Sequence, residues 1–237
     1  MKLFKNEPDT SAAFSLLEMS ITLTIIALVV AAVLTGQSMK HRQELNQVIT
    51  DISAITSAVT EFKSLYSDYY PGDLYNAADS LSSATNGDGT GYLETSNTSS
   101  KNEELLFWQH LVIADLISNI SGSYDGTTVT GEGGVMKSPL GYGFYYAHKL
   151  VNIPTAALNP TGKLVVQVSK TGSAGLFTAK EAYDFDAKYD NSNPIGTAGT
   201  ITAADGSDAS ASACVSSGAF NLATVTGTPC ILYFYLE

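Results

Sequence analysis

A single carboxylate, Glu18, lies at the edge of an uncharged apolar segment that runs from Met19 to Met39. A carboxylate at the edge of hydrocarbon is costly and normally has a charged partner or a function. The segment is long enough to cross a bilayer, because about 20 apolar residues in a helix span the hydrocarbon core. The sequence therefore marks Glu18 as its first candidate functional residue.

The two cysteines, Cys214 and Cys230, lie near the end of the sequence. In an oxidising compartment they would pair, and closing a loop of this size stabilises a fold by about 3 kcal/mol on the chain-entropy model. In a cytosolic protein they would be buried free thiols. Their spacing is not that of a CxxC metal site, and a pair offers too few ligands. We favour the disulfide, on condition that the domain is exported.

Two segments are rich in oxygen ligands. The segment NGDGTGYLE places Asn86, Asp88 and Thr90 at alternate positions with Glu94 beyond, which is part of the pattern of a calcium loop. It has no glutamate at the twelfth loop position and no preceding EF-hand helix, so we favour a solvated turn. We interpret a second group as surface acid on a helix and its exit turn: Asp184, Asp186, Asp190, Asn191 and Asn193. We predict no metal and no cofactor, with calcium as the weaker alternative.

Nothing in the sequence indicates an enzyme. It contains no Gly-x-Ser-x-Gly, His-Glu-x-x-His or P-loop pattern. Of its three histidines, His110 lies beside Trp108 in a predicted helix and His148 lies in a tyrosine-rich strand. We interpret both as packed or surface side chains rather than general bases. The chain is also acidic, with a net charge of −11, which excludes nucleic-acid binding through a basic face.

A hydrophobic stripe continues from the apolar segment and predicts one long helix. Its members recur every three or four positions, as on one face of a helix: Leu45, Val48, Ile52, Ile55, Val59, Phe62 and Tyr66. We predict a helix over residues 14–66. Its half 14–36 is apolar on all sides and suits a membrane, whereas its second half suits packing against a globular domain. A simple membrane anchor with a coiled-coil stalk is the alternative.

The remainder, residues 67–237, predicts a globular α+β domain. Pro71-Gly72-Asp73 is a turn signal that ends the long helix. Two segments predict further helices, NEELLFWQHLVIADLI and TAKEAYDFDAKYD, with Asn102 as N-cap of the first. Four segments are strand-like: GFYYAHKLVNI, GKLVVQVSK, GTITA and CILYFYLE. Because strands and helices do not alternate regularly, we predict an α+β fold in which the long N-terminal helix packs on an antiparallel sheet.

Residues 12–36 resemble the N-terminus of class III prepilins, the precursors of type IV pilins and type II secretion pseudopilins. The family pattern is a small residue, usually glycine, then Phe-Thr-Leu-Ile/Leu-Glu and an apolar run. The segment Ala13–Glu18, AFSLLE, falls in register with it. The chain departs from the family in having Ala13 instead of glycine and no proline near Thr35. A weaker resemblance extends to prepilin-like proteins with larger ectodomains. It rests on the late cysteine pair and on four segments: YYPGDLYNA, NGDG, FWQHLVIADLI and DAKYDNSNP.

The resemblance implies that residues 1–13 are a leader, cut by a prepilin peptidase between Ala13 and Phe14. The same enzyme would methylate the new amino group of Phe14. It further implies that Glu18 pairs with the Phe14 amine of a neighbouring subunit, which offsets both desolvation costs and fixes the axial register. The implied function is that of a structural subunit of a type IV pilus or a pseudopilus.

The implied partners are the prepilin peptidase, other pilin or pseudopilin subunits, an inner-membrane assembly platform and a cytoplasmic ATPase. The implied location is the bacterial inner membrane, crossed once with the C-terminal domain in the periplasm, and afterwards the filament. Two alternatives stay open: a membrane-anchored ectodomain with an adhesive or ligand-binding role, and a secretory signal peptide. A signal peptide fits less well, because Glu7 and Asp9 balance Lys2 and Lys5 ahead of the apolar segment.

Overall fold

The structure is a computed structural model that describes residues 15–93, 102–118, 120, 134–149, 162–190, 199–223 and 227–236. Several residues singled out above lie outside the described residues: Ala13, Phe14, Glu94, Asn191 and Asn193. Glu18, Cys214 and Cys230 lie within them. The described chain divides into two compact units, one ending at Glu44 and the other beginning at Leu45.

The first helix, α1, runs from Leu16 to Leu65 and confirms the predicted long helix. Ser15 precedes it and accepts a hydrogen bond from the backbone N–H of Leu17 at 3.3 Å, as N-terminal capping residues do. The helix ends where Ser67 adopts a φ of +53° and the N–H of Asp68 donates to the Lys63 carbonyl at 2.8 Å. This pairing is a Schellman C-cap, which satisfies a carbonyl that the helix itself leaves unbonded.

The predicted stripe on the second half of α1 is its buried face. Six residues of α1 are buried, all of them beyond Leu45: Val48, Ile52, Ile55, Ala58, Val59 and Phe62. Leu45 and Tyr66 pack against the same core and are partly buried. The hydroxyl of Tyr145 in the sheet donates to Oδ2 of Asp51 at 2.8 Å, so a polar contact fixes the helix beside the core.

In the part of the chain that the structure describes, three shorter α-helices follow: α2 (Ala77–Ser80), α3 (Glu103–Ile113) and α4 (Ala179–Tyr189). The Asn102 side chain caps α3 by accepting from the N–H of Leu105 at 3.3 Å, as predicted. Thr178 and Glu181 form a capping box at the start of α4, because each side chain accepts the other's backbone N–H. The sequence therefore predicted where α3 and α4 begin, whereas α2 was not predicted.

Within the described residues, seven strands form two sheets. They are β1 (Met136–Lys137), β2 (Gly143–His148), β3 (Val165–Lys170), β4 (Ile201–Asp205), β5 (Val215–Ser216), β6 (Ala219–Phe220) and β7 (Cys230–Tyr235). The main sheet is antiparallel throughout, in the order β1-β2-β3-β7-β4, and β5 pairs with β6. All four predicted strands are present, and the α+β fold with an antiparallel sheet is confirmed.

The central strands β3 and β7 are buried on both faces. On one face Val166, Val168 and Leu232 belong to the main core, together with the buried residues of α1, α3 and α4. On the other face Val165 and Tyr233 form a smaller cluster. Because both faces are covered, β7 is a continuous apolar run, whereas β3 also buries the polar side chains of Gln167 and Ser169.

Candidate functional site

The apolar half of α1 exposes its side chains around the whole helix. Glu18 lies in the first turn and is exposed, and no residue of α1 before Leu45 is buried. The large apolar side chains that are exposed here are Leu16, Leu17, Met19, Ile21, Leu23, Ile25, Ile26, Leu28, Val29, Val30, Val33, Leu34 and Met39. By its length and composition α1 could cross a membrane. Exposed apolar surface of this extent marks a membrane or a protein interface.

Small hydroxyl side chains in this half are satisfied within the helix. Ser20, Thr22 and Thr24 each donate to the backbone carbonyl three residues earlier, at 2.8 to 2.9 Å. A hydroxyl bonded in this way brings no unsatisfied polar group to an apolar surrounding. Glu18 is therefore the charged side chain that such a surrounding would leave in need of a partner.

Cys214 and Cys230 form a disulfide, as the sequence predicted for an exported domain. Both residues are fully buried, and their Cα atoms lie 5.0 Å apart. The bond attaches the segment before β5 to the first residue of β7. Asp205 secures the same segment, because its Oδ1 accepts the N–H of Cys214 at 2.6 Å and its Oδ2 accepts that of Ser212 at 2.7 Å.

His110 and His148 are packed side chains, which is one of the two alternatives that the sequence predicted for them. His110 is fully buried, its Nδ1 accepts the N–H of Gly72 at 2.9 Å, and its Nε2 faces the Thr85 carbonyl at 2.8 Å. Burial lowers the pKa of His110 to about 4, although the Thr85 carbonyl raises it in part. The neutral ring therefore joins the turn after α1 to a second loop.

For His148, burial lowers the pKa, but the Glu104 carboxylate, 2.5 Å from Nδ1, outweighs the effect of burial, and the net shift of the pKa is upward.

A group of three acidic residues was not recognised in the sequence. Asp73, Asp88 and Glu103 each place one carboxylate oxygen so that all three oxygens lie within 4.8 Å of one another. Asp73 is 1% exposed and Glu103 is fully buried, whereas Asp88 is half-buried. We call these three residues the acidic cluster. It brings together the turn after α1, the loop 86–91 and the first turn of α3.

Gly72 fixes the first of these segments in place. It has a φ of +92°, and a Cβ there would lie 2.5 Å from the carbonyl oxygen of Glu103. Only glycine permits both the backbone conformation and the approach. The turn Pro71-Gly72-Asp73 therefore lies directly against the start of α3, which places Asp73 beside Glu103.

The loop 86–91 lies against the same turn. A Cβ on Gly87 would lie 2.3 Å from the carbonyl oxygen of Gly72, so the two backbones are in direct contact. The N–H of Gly87 donates to the Leu74 carbonyl at 2.9 Å, and the N–H of Gly89 donates to the Asp73 carbonyl at 3.0 Å. These bonds hold Asp88 at the turn.

The carboxylates of the cluster have different partners. Oδ2 of Asp73 accepts the N–H of Gly91 at 3.0 Å, but its Oδ1 has no hydrogen-bond partner within the described part of the chain. Oε1 of Glu103 accepts the N–H of Asp88 at 2.9 Å. Burial raises the pKa of Asp73 to about 6; the N–H of Gly91 opposes this shift, and the charge of Asp88 adds to it.

Of the described residues in the two oxygen-rich segments, Asp88 belongs to the acidic cluster, and the others have different partners. Asn86 accepts the N–H of Ala78 at 2.7 Å and so holds α2 rather than joining the cluster. In the second group, Asp184 pairs with Lys180, and Asp190 accepts the N–H of Thr200 at 2.8 Å. Asp186 is fully buried, so the prediction of surface acid is wrong for that residue. It lies on the face of α4 that packs into the core, one position after the buried Phe185.

The sequence contained one signal for the acidic cluster, the loop NGDGTG. The calcium-loop pattern, however, takes its ligands from positions close together in sequence. Asp73 and Glu103 lie 15 residues on either side of Asp88, so local spacing could not identify them. No family model, no curated protein and no solved structure matches the chain. The function of the chain is therefore inferred from its residues and from their arrangement in the fold.

Proposed function

We propose that this chain is a structural subunit of a type IV pilus or of a pseudopilus, processed after Ala13, methylated at Phe14 and assembled through α1. The observation that supports it most is the exposed apolar half of α1, with Glu18 in its first turn, on the same helix whose second half packs into a globular domain. An isolated apolar helix needs lipid or other helices, and copies of the same helix can supply the latter.

Glu18 gives this assembly its register. In a bundle of apolar helices a carboxylate costs several kcal/mol unless a cation pairs with it. The amine created at Phe14 by leader cleavage is such a cation, and on a neighbouring subunit displaced along the axis it would meet Glu18. One buried polar pair within an otherwise apolar interface selects one alignment, because every other alignment leaves both charges unpaired.

Processing is tested by mass spectrometry of the protein extracted from membranes. We expect a mature N-terminus at Phe14 that carries one additional methyl group. An intact Met1, or cleavage after the apolar segment, would rule the proposal out. Substituting Ala13 with a bulky residue such as Leu should leave the leader attached, because the peptidase site takes a small residue.

Assembly is tested by replacing Glu18 with Ala and measuring incorporation into sheared filaments by immunoblot. We expect filament incorporation to fall at least tenfold while the amount of protein in the membrane stays the same. Glu61→Ala is the matched control, because Glu61 is an exposed carboxylate on the same helix within the second unit. Normal filaments from the Glu18 variant would show that the register-pairing account is wrong.

A membrane-anchored ectodomain with an adhesive or ligand-binding role is the second candidate. It uses the same apolar helix as a simple anchor and requires neither leader cleavage nor Glu18. The two candidates differ in one measurable respect: only the filament subunit is recovered in a sheared, high-molecular-mass fraction that depends on the cytoplasmic ATPase.

A further inference from the structure

We propose that the acidic cluster of Asp73, Asp88 and Glu103 binds one Ca²⁺ ion, which ties the turn after α1 to the start of α3. This site goes beyond the proposed function and does not depend on it. It would serve stability rather than catalysis, since Asp73 and Glu103 are buried in the globular unit.

The distances fit a single coordination shell. Calcium binds oxygen ligands at 2.3 to 2.6 Å, so two ligands of one ion lie at most about 5 Å apart. One carboxylate oxygen from each residue of the cluster lies within 4.8 Å of the other two. An ion placed among them would therefore contact three carboxylates contributed by three separate segments of the chain.

The burial of Asp73 supports a bound cation independently of the distances. Its side chain is 1% exposed, and its Oδ1 has no hydrogen-bond partner among the described residues. A buried carboxylate oxygen without a partner costs free energy, because the water that would solvate it has been removed. The negative charge of Asp88 acts on Asp73 and adds repulsion to the cost of burial. A cation between the two removes both costs.

The surrounding backbone is organised as a binding loop would be. Four backbone N–H groups hold the loop in place. Those of Gly87 and Gly89 donate to the carbonyls of Leu74 and Asp73, and those of Gly91 and Asp88 donate to the carboxylates of Asp73 and Glu103. The carboxylates are thus held together before any ligand arrives, and little ordering entropy opposes binding. His110 does not compete for these carboxylates, because its ring nitrogens face the Gly72 N–H and the Thr85 carbonyl.

Calcium fits this ligand set better than magnesium does. Carboxylates are hard oxygen ligands that suit either ion, but magnesium demands near-ideal octahedral geometry at 2.0 to 2.1 Å. The oxygens of the cluster all lie within 4.8 Å of one another, which is inside the span that a calcium ion bridges. Calcium also tolerates the irregular geometry that results when three separate segments supply the ligands.

The experiment uses the full-length protein in detergent micelles, stripped with EDTA and then titrated with CaCl₂ while thermal unfolding is followed by fluorescence of the buried Trp108. At calcium concentrations about 100-fold above Kd, we expect the Tm of the wild type to rise by about 5 °C or more. We expect the same concentration of MgCl₂ to produce a clearly smaller rise.

Two variants test the ligands. Asp73→Asn and Glu103→Gln keep the shape of each side chain, and we expect each to weaken calcium binding at least roughly tenfold, as measured by isothermal titration calorimetry, because ligand charge sets affinity. The matched control is Asp115→Asn, an exposed carboxylate one residue beyond the C-cap of α3 whose positive φ asparagine tolerates equally. It should bind calcium like the wild type.

Asp73→Asn also distinguishes stabilisation by a bound calcium ion from stabilisation by a proton on the Asp73 carboxylate. In EDTA we expect this variant to be at least as stable as the wild type, because the substitution removes the repulsion, and to gain no stability when calcium is added. Three results would overturn the proposal: no rise in the Tm of the wild type at 10 mM CaCl₂, an equal rise in Asp73→Asn, or an equal rise with MgCl₂.

Discussion

At the residue scale, His110 couples the stability of the globular unit to pH. Its pKa in the folded protein is about 4, below the ordinary histidine value of 6.5, so between these values the unfolded chain binds more protons than the folded one. Stability from this residue is therefore present above pH 6.5 and is lost as the pH falls toward 4. Between pH 7.5 and pH 5 the loss is about 2 kcal/mol.

The His110 contribution is isolated by comparing the wild type with His110→Gln in chemical denaturation at pH 7.5 and at pH 5. We expect the variant to be less stable at pH 7.5, because the Gly72 N–H and the Thr85 carbonyl lose their partner. The difference between the two proteins should shrink by about 2 kcal/mol at pH 5. A difference that is independent of pH would show that His110 titrates normally.

Gly72 supports a second prediction at this scale. Gly72→Ala should destabilise the fold because alanine disfavours a φ of +92° and because its Cβ would collide with the Glu103 carbonyl. Gly162→Ala is the control, since Gly162 has a φ of +79° but has no atom within 4 Å of an added Cβ. We expect Gly72→Ala to cost about 1 to 3 kcal/mol more than the control in chemical denaturation. Equal costs would mean that the turn moves aside freely.

At the element scale, α1 contains two kinds of helix surface in one continuous run of backbone. Beyond Leu45 its stripe inserts into the core, where Phe62 is fully buried and its ring centroid lies 4.5 Å from that of Tyr66 and 6.0 Å from that of His110. Before Glu44 none of the described residues is buried. The two stretches therefore depend on different surroundings, and substitutions in them should have different consequences.

Phe62→Ala tests the second stretch of α1. The substitution removes a fully buried aromatic ring, and we expect it to destabilise the globular unit by about 3 to 5 kcal/mol, measured by the change in Trp108 fluorescence in denaturant. Glu61→Ala, at the exposed neighbouring position, should change stability by less than about 0.5 kcal/mol. A cost for Phe62→Ala as small as that of the control would show that α1 is not part of the core.

At the scale of the whole molecule, the net charge is confined to one part of the chain. From residue 41 onward there are 9 basic and 20 acidic side chains, which accounts for the whole net charge of −11. The preceding apolar segment is uncharged from Met19 to Met39. We therefore expect the anchoring of the protein to depend on that segment and the solubility of the remainder on its acidic surface.

Anchoring is tested by introducing two lysines at the centre of the apolar segment, Ile26→Lys with Val30→Lys. Each lysine costs about 2.5 to 3.5 kcal/mol at the centre of a membrane-spanning helix, so the protein should become extractable by alkaline carbonate. The pair Ser53→Lys with Ser57→Lys is the control, since both serines are exposed on the second half of α1. Retention of the first variant in the membrane would show that another feature anchors the chain.

The sequence by itself determined the elements and the chemistry that acts along the chain. The period of the apolar residues predicted α1 and its buried face, and Asn102 marked the start of α3. Four strand-like runs predicted four of the five strands of the main sheet, without β1. These features depend on neighbours three or four positions apart or on the alternation of a strand, which a sequence displays directly.

Tertiary structure decided which distant residues meet. Asp88 appeared in a glycine-rich loop, but its partners Asp73 and Glu103 became visible only when the Gly72 turn was packed against α3. Asp186 was expected at the surface and is buried, because the side of α4 that faces the core is set by the sheet beneath it. Packing of this kind is cooperative between elements, so no local pattern in the sequence encodes it.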